Sequence, residues 1–527
     1  MMHRRELLKS AAAVMGASSL SVPLVRAAMP AAPVVSTTHG PVRGASKDGI
    51  EVYRGIRYGA DTSTRRFQPP LPPAPWSDVR DAKEFGPASA QTSIDEPSGE
   101  DCLFLNVWTP ASRDAVRRPV MVYIHGGAYA SGSGSSPLYE GTALARRGDV
   151  VVVTINHRLS ALGYLYLARL APEAYADSGN AGTLDLLLAL RWVRDNIGAF
   201  GGDRSRVMVF GQSGGGAKIA TLMAVPAATG LFQRAATMSG QQLTASGPLN
   251  ATRRTRALLQ ALQLPESRAA ELVKMPVARL VAALGALDPI IGRGPLYFGP
   301  VLDDRTLTRH PFYPDAPSQS ATVPMIIGNT HDETRSLIGR SDPGAFHLGW
   351  DELAQRLAAE MRVDIRPERV VAEYRRLYPG YSPSDVFFAA TTAARSWRAA
   401  IVEAELRALQ GAPAYVYQLD FPSPQEGGQW GAFHTLDIPL VFGTLTATGS
   451  ATGDSATARR VSAIMSDAFI SMARSGDPNH PQLPHWTPYR LPQRTTMIFD
   501  ARTRLEADPR GAERRLFEAV PFIQQGT

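Results

Sequence analysis

Gly211-Gln212-Ser213-Gly214-Gly215 and His125-Gly126-Gly127-Ala128-Tyr129 are the two segments of this 527-residue chain whose residue types and spacing suit covalent chemistry. In the first, a serine stands between glycines two positions away on either side. With a strand before it and a helix after it, such a serine sits on a sharp turn. The glycines leave room for the flanking elements, and the helix N-terminus favours the negative charge of an attacked carbonyl. Taken alone, the pattern also fits a plain glycine turn. The second segment follows the apolar run Val122-Tyr123-Ile124. Its glycines allow the backbone to turn N–H groups toward a substrate oxygen, although a tight connecting loop would read the same way. In this order along the chain, the two segments point to acyl transfer with Ser213 as nucleophile.

A serine hydroxyl attacks poorly until an imidazole accepts its proton and a carboxylate orients that imidazole. In a strand–turn–helix arrangement of this kind, the chain order is serine, acid, histidine. Residue type does not select the partners, since ten histidines are present and Asp332 adjoins Glu333. His331 also competes by nearness in sequence.

The elements that must position these groups are legible as short apolar runs. Val120 to Ile124, Val150 to Ile155 and Val207 to Phe210 are nearly continuous, as in strands covered on both faces. Leu184 to Ile197 changes to a helical period, with Leu187, Leu190, Val193 and Ile197 on one face. Ala217 to Met223 reads as a helix behind Ser213. Further strands are expected at Ala235 to Met238, Val323 to Ile327, Ala414 to Leu419 and Thr495 to Phe499. Strand–helix alternation on this scale predicts a mainly parallel sheet covered by helices. An antiparallel N-terminal edge is expected over Val34 to Val42 and Ile50 to Ile56. Helix-rich stretches at 250–290 and 345–410 are expected over or beside the sheet.

These segments resemble the type-B carboxylesterases of the α/β-hydrolase superfamily, which include cholinesterases and bacterial para-nitrobenzyl esterases. The similarity covers nearly the whole chain after its first residues. It is carried by Tyr53-Arg54-Gly55-Ile56-Arg57-Tyr58-Gly59, Glu100-Asp101-Cys102-Leu103-Phe104-Leu105-Asn106-Val107, Asn156-His157-Arg158-Leu159, Gly179-Asn180-Ala181-Gly182 and Gly476-Asp477-Pro478-Asn479. The resemblance implies an α/β-hydrolase fold with helical insertions around the active site. It also implies a serine carboxylesterase that releases acid and alcohol through an acyl-serine intermediate, without metal or cofactor. Its catalytic residues fall on Ser213, Glu333 and His434, and its oxyanion donors on the N–H groups of Gly127, Ala128 and Gly214. The expected substrate is a small-molecule ester. Alternatives are an esterase dedicated to one bulky natural, toxin or polyester-derived ester, and a catalytically idle adhesion relative. Pocket walls are expected from Tyr129, the segment after Gln241 and the helical insertions around 280–295 and 345–410, with Gln212, Trp430, Phe433 and Phe298 as further candidates.

Three positions depart from the family pattern. Ser89 replaces the cysteine that usually pairs with the one at 102, Gln212 replaces a glutamate, and Gly214 replaces an alanine that would hold the backbone more firmly. The neutral Gln212 and an aromatic-free loop between Ser89 and Cys102 imply that choline esters are not preferred.

The first 27 residues read as an export signal to the periplasm or exterior of a bacterium, twin-arginine-like at Arg4-Arg5, with cleavage after Val25-Arg26-Ala27. Residues 28–527 then form a single α/β-hydrolase domain. The chain carries +7, and the leader holds Arg4, Arg5, Lys9 and Arg26 against Glu6, which leaves +4 for the remainder. That balance, with no basic block, argues against nucleic acid; Arg253-Arg254-Thr255-Arg256 is expected to be a solvated helix face. The apolar part of the leader is too short for a membrane anchor. Cys102 is the single cysteine, so no internal disulfide forms, and it is expected to pack as a small hydrophobe. Asp185 and Arg158 are expected to be buried, paired charges. A monomer or weak homodimer is expected.

Overall fold

The apolar runs build the spine of one large sheet in the computed structural model, which describes residues 32–524 apart from Ser93 and Pro172. The expected leader lies outside the described residues. The sheet has eleven strands. They are β1 (Ala45–Lys47), β2 (Ile50–Arg57), β3 (Phe104–Thr109), β4 (Arg118–Ile124), β5 (Val151–Ile155) and β6 (Gly202–Gln212). Then follow β7 (Arg234–Met238), β8 (Met325–Thr330), β9 (Ala414–Leu419), β10 (Thr495–Phe499) and β11 (Arg504–Ala507). Their order across the sheet is β11-β10-β9-β8-β7-β6-β4-β5-β3-β2-β1. From β5 to β10 all neighbours are parallel, and antiparallel strands close both edges. Three of these edge strands, β1, β3 and β11, go beyond the sequence reading.

Both faces of the parallel centre are covered, which is why its strands are apolar throughout rather than alternating. On β4, Val120, Val122 and Ile124 enter one core with Leu186, Leu190 and Ile219. Met121 and Tyr123 enter the other with Phe442 and Phe469. The helix read from the Leu184–Ile197 period spans Ala181–Asn196, with Leu186, Leu187, Leu190 and Val193 buried and Arg191 and Arg194 exposed. Arg158 and Asp185 form the expected buried pair, with Arg158 Nη2 donating to Asp185 Oδ1 at 2.6 Å. The N-terminal edge is antiparallel as expected, with Val34–Ser36 against Pro41–Arg43 in a separate small sheet.

The two helix-rich stretches fall between later strands. Helices Pro248–Ala261 and Val277–Ala283 lie between β7 and β8. Leu353–Glu360, Pro367–Leu377, Pro383–Thr392 and Arg398–Gln410 lie between β8 and β9. A five-residue π turn, Ala393–Trp397, joins the last two. The Arg253–Arg256 segment corrects its sequence reading: Arg253 and Arg256 are exposed, but Arg254 is buried, with Nε donating to Asp288 Oδ2 at 2.7 Å. A helix turns every hundred degrees, so adjacent arginines do not share a face. No helix among the described residues is long and apolar enough to cross a membrane.

Candidate active site

Strand β6 ends at Gln212, and the helix Gly214–Ala224 begins one residue past Ser213. Ser213 itself adopts φ 56° and ψ −127°. A side chain rarely takes that conformation, so the surrounding structure must hold it there. Its N–H donates to Met238 O on β7 at 2.7 Å. The glycines leave no alternative nearby: a Cβ on Gly215 would lie 1.9 Å from Ile124 O, and one on Gly240 would lie 1.7 Å from Ser213 O. Gly214 is equally constrained, because a Cβ there would lie 2.0 Å from Ala128 O. The looser backbone expected at Gly214 is thus replaced by a close crossing between the helix start and the 125–129 segment.

That segment turns through positive φ at Gly127 (84°) and Ala128 (51°). The N–H groups of Gly127 and Ala128 donate to no acceptor among the described residues. The N–H of Gly214, in the first turn of its helix, has no carbonyl one turn back to bind. Three backbone donors therefore remain available beside Ser213. Behind them, His125 stacks on His157 with ring centroids 4.8 Å apart. Burial, reinforced by Lys218, lowers the His125 pKa to about 3, so the imidazole is neutral.

Lys218 was not anticipated from sequence, although it is the one charge in an otherwise apolar helix. It is 1% exposed, and its Nζ donates to His125 O at 3.0 Å. Burial lowers its pKa to about 7. Between that value and the ordinary lysine pKa of about 10.5, the unfolded chain holds a proton that the folded chain lacks. Stability therefore rises with pH across this window, and below it the cost stands in full. Lys218→Met is expected to raise the unfolding free energy read from urea titration by at most about 5 kcal/mol, at about 1.4 kcal/mol per pKa unit. The gain over the parent should be largest at pH 6.5 and shrink by pH 9.5. A pH-independent difference would show that the amine pays no such cost.

Glu333 and His434 meet across the end of β8. Glu333 is fully buried, and its Oε2 accepts from His434 Nδ1. Its Oε1 accepts from Thr330 N at 3.0 Å and from Asn329 Nδ2 at 3.2 Å. Burial pushes this carboxyl up, but His434, the Ser239 hydroxyl and the Thr330 N–H outweigh it and hold it below the usual carboxylate range. Asp332 points elsewhere: its Oδ2 accepts from Ala432 N at 2.9 Å and its Oδ1 faces His331 Nδ1 at 3.1 Å. Asp437, one turn past His434, behaves oppositely to Glu333. Burial raises it to about 6, partly offset by the Tyr417 hydroxyl donating to Oδ2 at 2.7 Å.

Ser213 and His434 open into one pocket of about 210 Å³. Ala128, Tyr129, Gly214, Gln241, Tyr297 and Arg362 are among its walls, with Arg395, Ser396 and Phe522. Tyr129 and the segment after Gln241 are where sequence placed them, and the 345–410 stretch contributes through Arg362 and Arg395. The other candidates are not in the wall. Gln212 is buried against the imidazole, its Nε2 3.3 Å from His434 Nε2. Trp430 packs edge-on to Phe346, with centroids 5.3 Å apart, and Phe433 and Phe298 are core residues. Aromatic residues close in sequence to a pocket histidine are as readily consumed by core packing as by a pocket. Among the described residues no group of His, Cys, Asp and Glu is disposed to hold a metal.

Residues 31–516 match the carboxylesterase family. The chain belongs to that family. A para-nitrobenzyl esterase of Bacillus subtilis is 34% identical over 92% of this chain and 98% of its own length. A phenmedipham hydrolase of Pseudarthrobacter oxydans is also 34% identical, over 88% of this chain and 94% of its own. Among solved structures, a carboxylesterase of Geobacillus stearothermophilus superposes with a TM-score of 0.82 at 38% identity, covering 92% of this chain and 99% of that one. The fold is the α/β-hydrolase fold of these carboxylesterases, and the chain is a carboxylic ester hydrolase.

Proposed function

We propose that this carboxylesterase works through Ser213, His434 and Glu333. His434 accepts the serine proton as Ser213 Oγ bonds to the ester carbonyl carbon, and the resulting oxyanion meets the N–H groups of Gly127, Ala128 and Gly214. The tetrahedral adduct collapses as His434 returns the proton to the leaving alcohol. Water then repeats the attack on the acyl-serine and releases the acid. Glu333 fixes the imidazole tautomer and stabilises its charged form. Each oxyanion donor contributes roughly 3 kcal/mol to the transition state. The observation that carries this reading is the buried Glu333–His434 pair opening onto the same pocket as a serine held at positive φ.

The purified chain is expected to release acid and alcohol from neutral esters varied separately in acyl and alcohol size. Butyrylcholine should be turned over no faster than 3,3-dimethylbutyl butyrate, its neutral counterpart. Absence of turnover on the whole neutral panel would overturn the reading. A tenfold preference for the choline ester would show a cation site that the pocket wall, which contains no Asp or Glu, does not account for. We further propose export to the periplasm or exterior, supported by Arg4-Arg5 and the apolar stretch that follows.

A further inference from the structure

The pocket wall is unusual in charge. Two arginines, Arg362 and Arg395, line it, and no carboxylate does. The acid that pairs with this cluster is Glu360, and it is already shared: Arg395 Nη1 donates to Glu360 Oε2 at 3.1 Å and Arg293 Nη1 to Oε1 at 3.2 Å. The Arg362 guanidinium has neither a hydrogen bond nor an ion pair among the described residues. Glu360 thus faces three arginines, Arg293, Arg362 and Arg395.

This cation is also held in place. Arg362 O accepts from Ile523 N at 3.1 Å, and Val363 bridges Phe522, so the C-terminal segment fixes the backbone beneath the side chain. Arg395 and Ser396 belong to the π turn, whose extra residue per turn re-aims side chains relative to the flanking helices. The remaining wall is mixed, with polar groups set beside Ala217, Leu337, Ala399 and Phe522. Ser239, Gln242 and Ser396 line it, and the buried Gln241 Oε1 has no partner among the described residues. A guanidinium left without a counter-ion in a half-enclosed pocket is a strong site for a carboxylate, which it binds through parallel N–H donors.

We propose that this pocket selects esters bearing a free carboxylate, with Arg362 binding that carboxylate and Arg395 reinforcing it. The inference deepens the esterase reading and rests on it. Burial and Arg395 lower the Arg362 pKa to about 9, so the group stays cationic at neutral pH. Glu360 offsets the charge repulsion of Arg362 with Arg395 in part, and an incoming anion would relieve it further. The carboxylate can lie on the acyl part, as in a half-ester of a dicarboxylic acid, or on the alcohol part, as in an acylated hydroxy acid.

Two substrate pairs separate these sources. Monoethyl adipate is compared with its neutral amide, ethyl adipamate, and 4-acetoxybenzoate with 4-acetoxybenzamide, by kcat/KM at pH 7.5 and low salt. The carboxylate member of at least one pair should be preferred tenfold or more, and the responsive pair names the side. Arg362→Met and, in parallel, Arg362→Gln should lower that preference ratio at least tenfold, while Arg362→Lys retains part of it. Hydrolysis of both amides with no preference for either carboxylate would overturn the inference and leave the esterase reading standing. A preference that survives both neutral Arg362 variants would overturn the assignment of Arg362. Failure to hydrolyse any of the four esters would count against the esterase reading itself.

Discussion

Ser213→Ala is expected to lower kcat for ester hydrolysis by roughly a million-fold, leaving only what the oxyanion donors and substrate binding supply. The scale follows from mechanism. Without Oγ no acyl-enzyme forms, and His434 and Glu333 lose the reaction they serve. The fold should persist, because position 213 is held by its backbone. Its N–H binds Met238 O, and the glycines around it accommodate the crossing strands. Removing the side chain also relieves part of the cost of φ 56°. A fluorophosphonate should attach once per chain, at Ser213, and not at all to the variant. Labelling at another serine with activity retained would assign the nucleophile wrongly.

Glu333→Gln carries the second-largest expected effect, a loss of about ten-thousand-fold in kcat, against tenfold or less for Asp332→Asn. The two acids are neighbours in sequence, but their surroundings separate them. Glu333 reaches His434 Nδ1 directly, whereas Asp332 is occupied by Ala432 N and His331. A glutamine at 333 presents an amide that permits the wrong imidazole tautomer and no longer balances an imidazolium. Asp332→Asn can keep an acceptor for Ala432 N and leaves the ring alone. The acid dependence is distinct as well. Because Glu333 is held below the usual carboxylate range, its contribution to stability is present above that range and lost as acid protonates it in the folded state. Equal losses in the two variants, with folding verified, would reassign the orienting carboxylate.

How much of this was legible in the sequence follows from which interactions are local. The turn around Ser213 is local: strand, glycines, serine and helix are contiguous, so the pattern carries its own geometry. The parallel centre was legible for a related reason, since strands covered on both faces are written as unbroken apolar runs. Pocket lining is not local. Arg362 reaches the site from the bend after the Leu353–Glu360 helix, and Arg395 from a π turn that has no period of its own in the sequence. Trp430 and Phe433 misled because proximity to His434 along the chain does not say which way a side chain points. Lys218 was visible as an isolated charge, but its burial depends on how the 125–129 segment packs over the helix.

The pairing of Ser89 with Cys102 has a practical consequence. Cys102 is fully buried beside Ser89, and burial raises its thiol pKa far above the ordinary range, so almost none of it is thiolate at neutral pH. A buried thiol with no second cysteine in the chain neither exchanges with glutathione nor joins two copies together. The fold is therefore indifferent to redox poise. It matures equally in a reducing cytosol and in an oxidising exterior, and reductants used in handling remove nothing that holds it together.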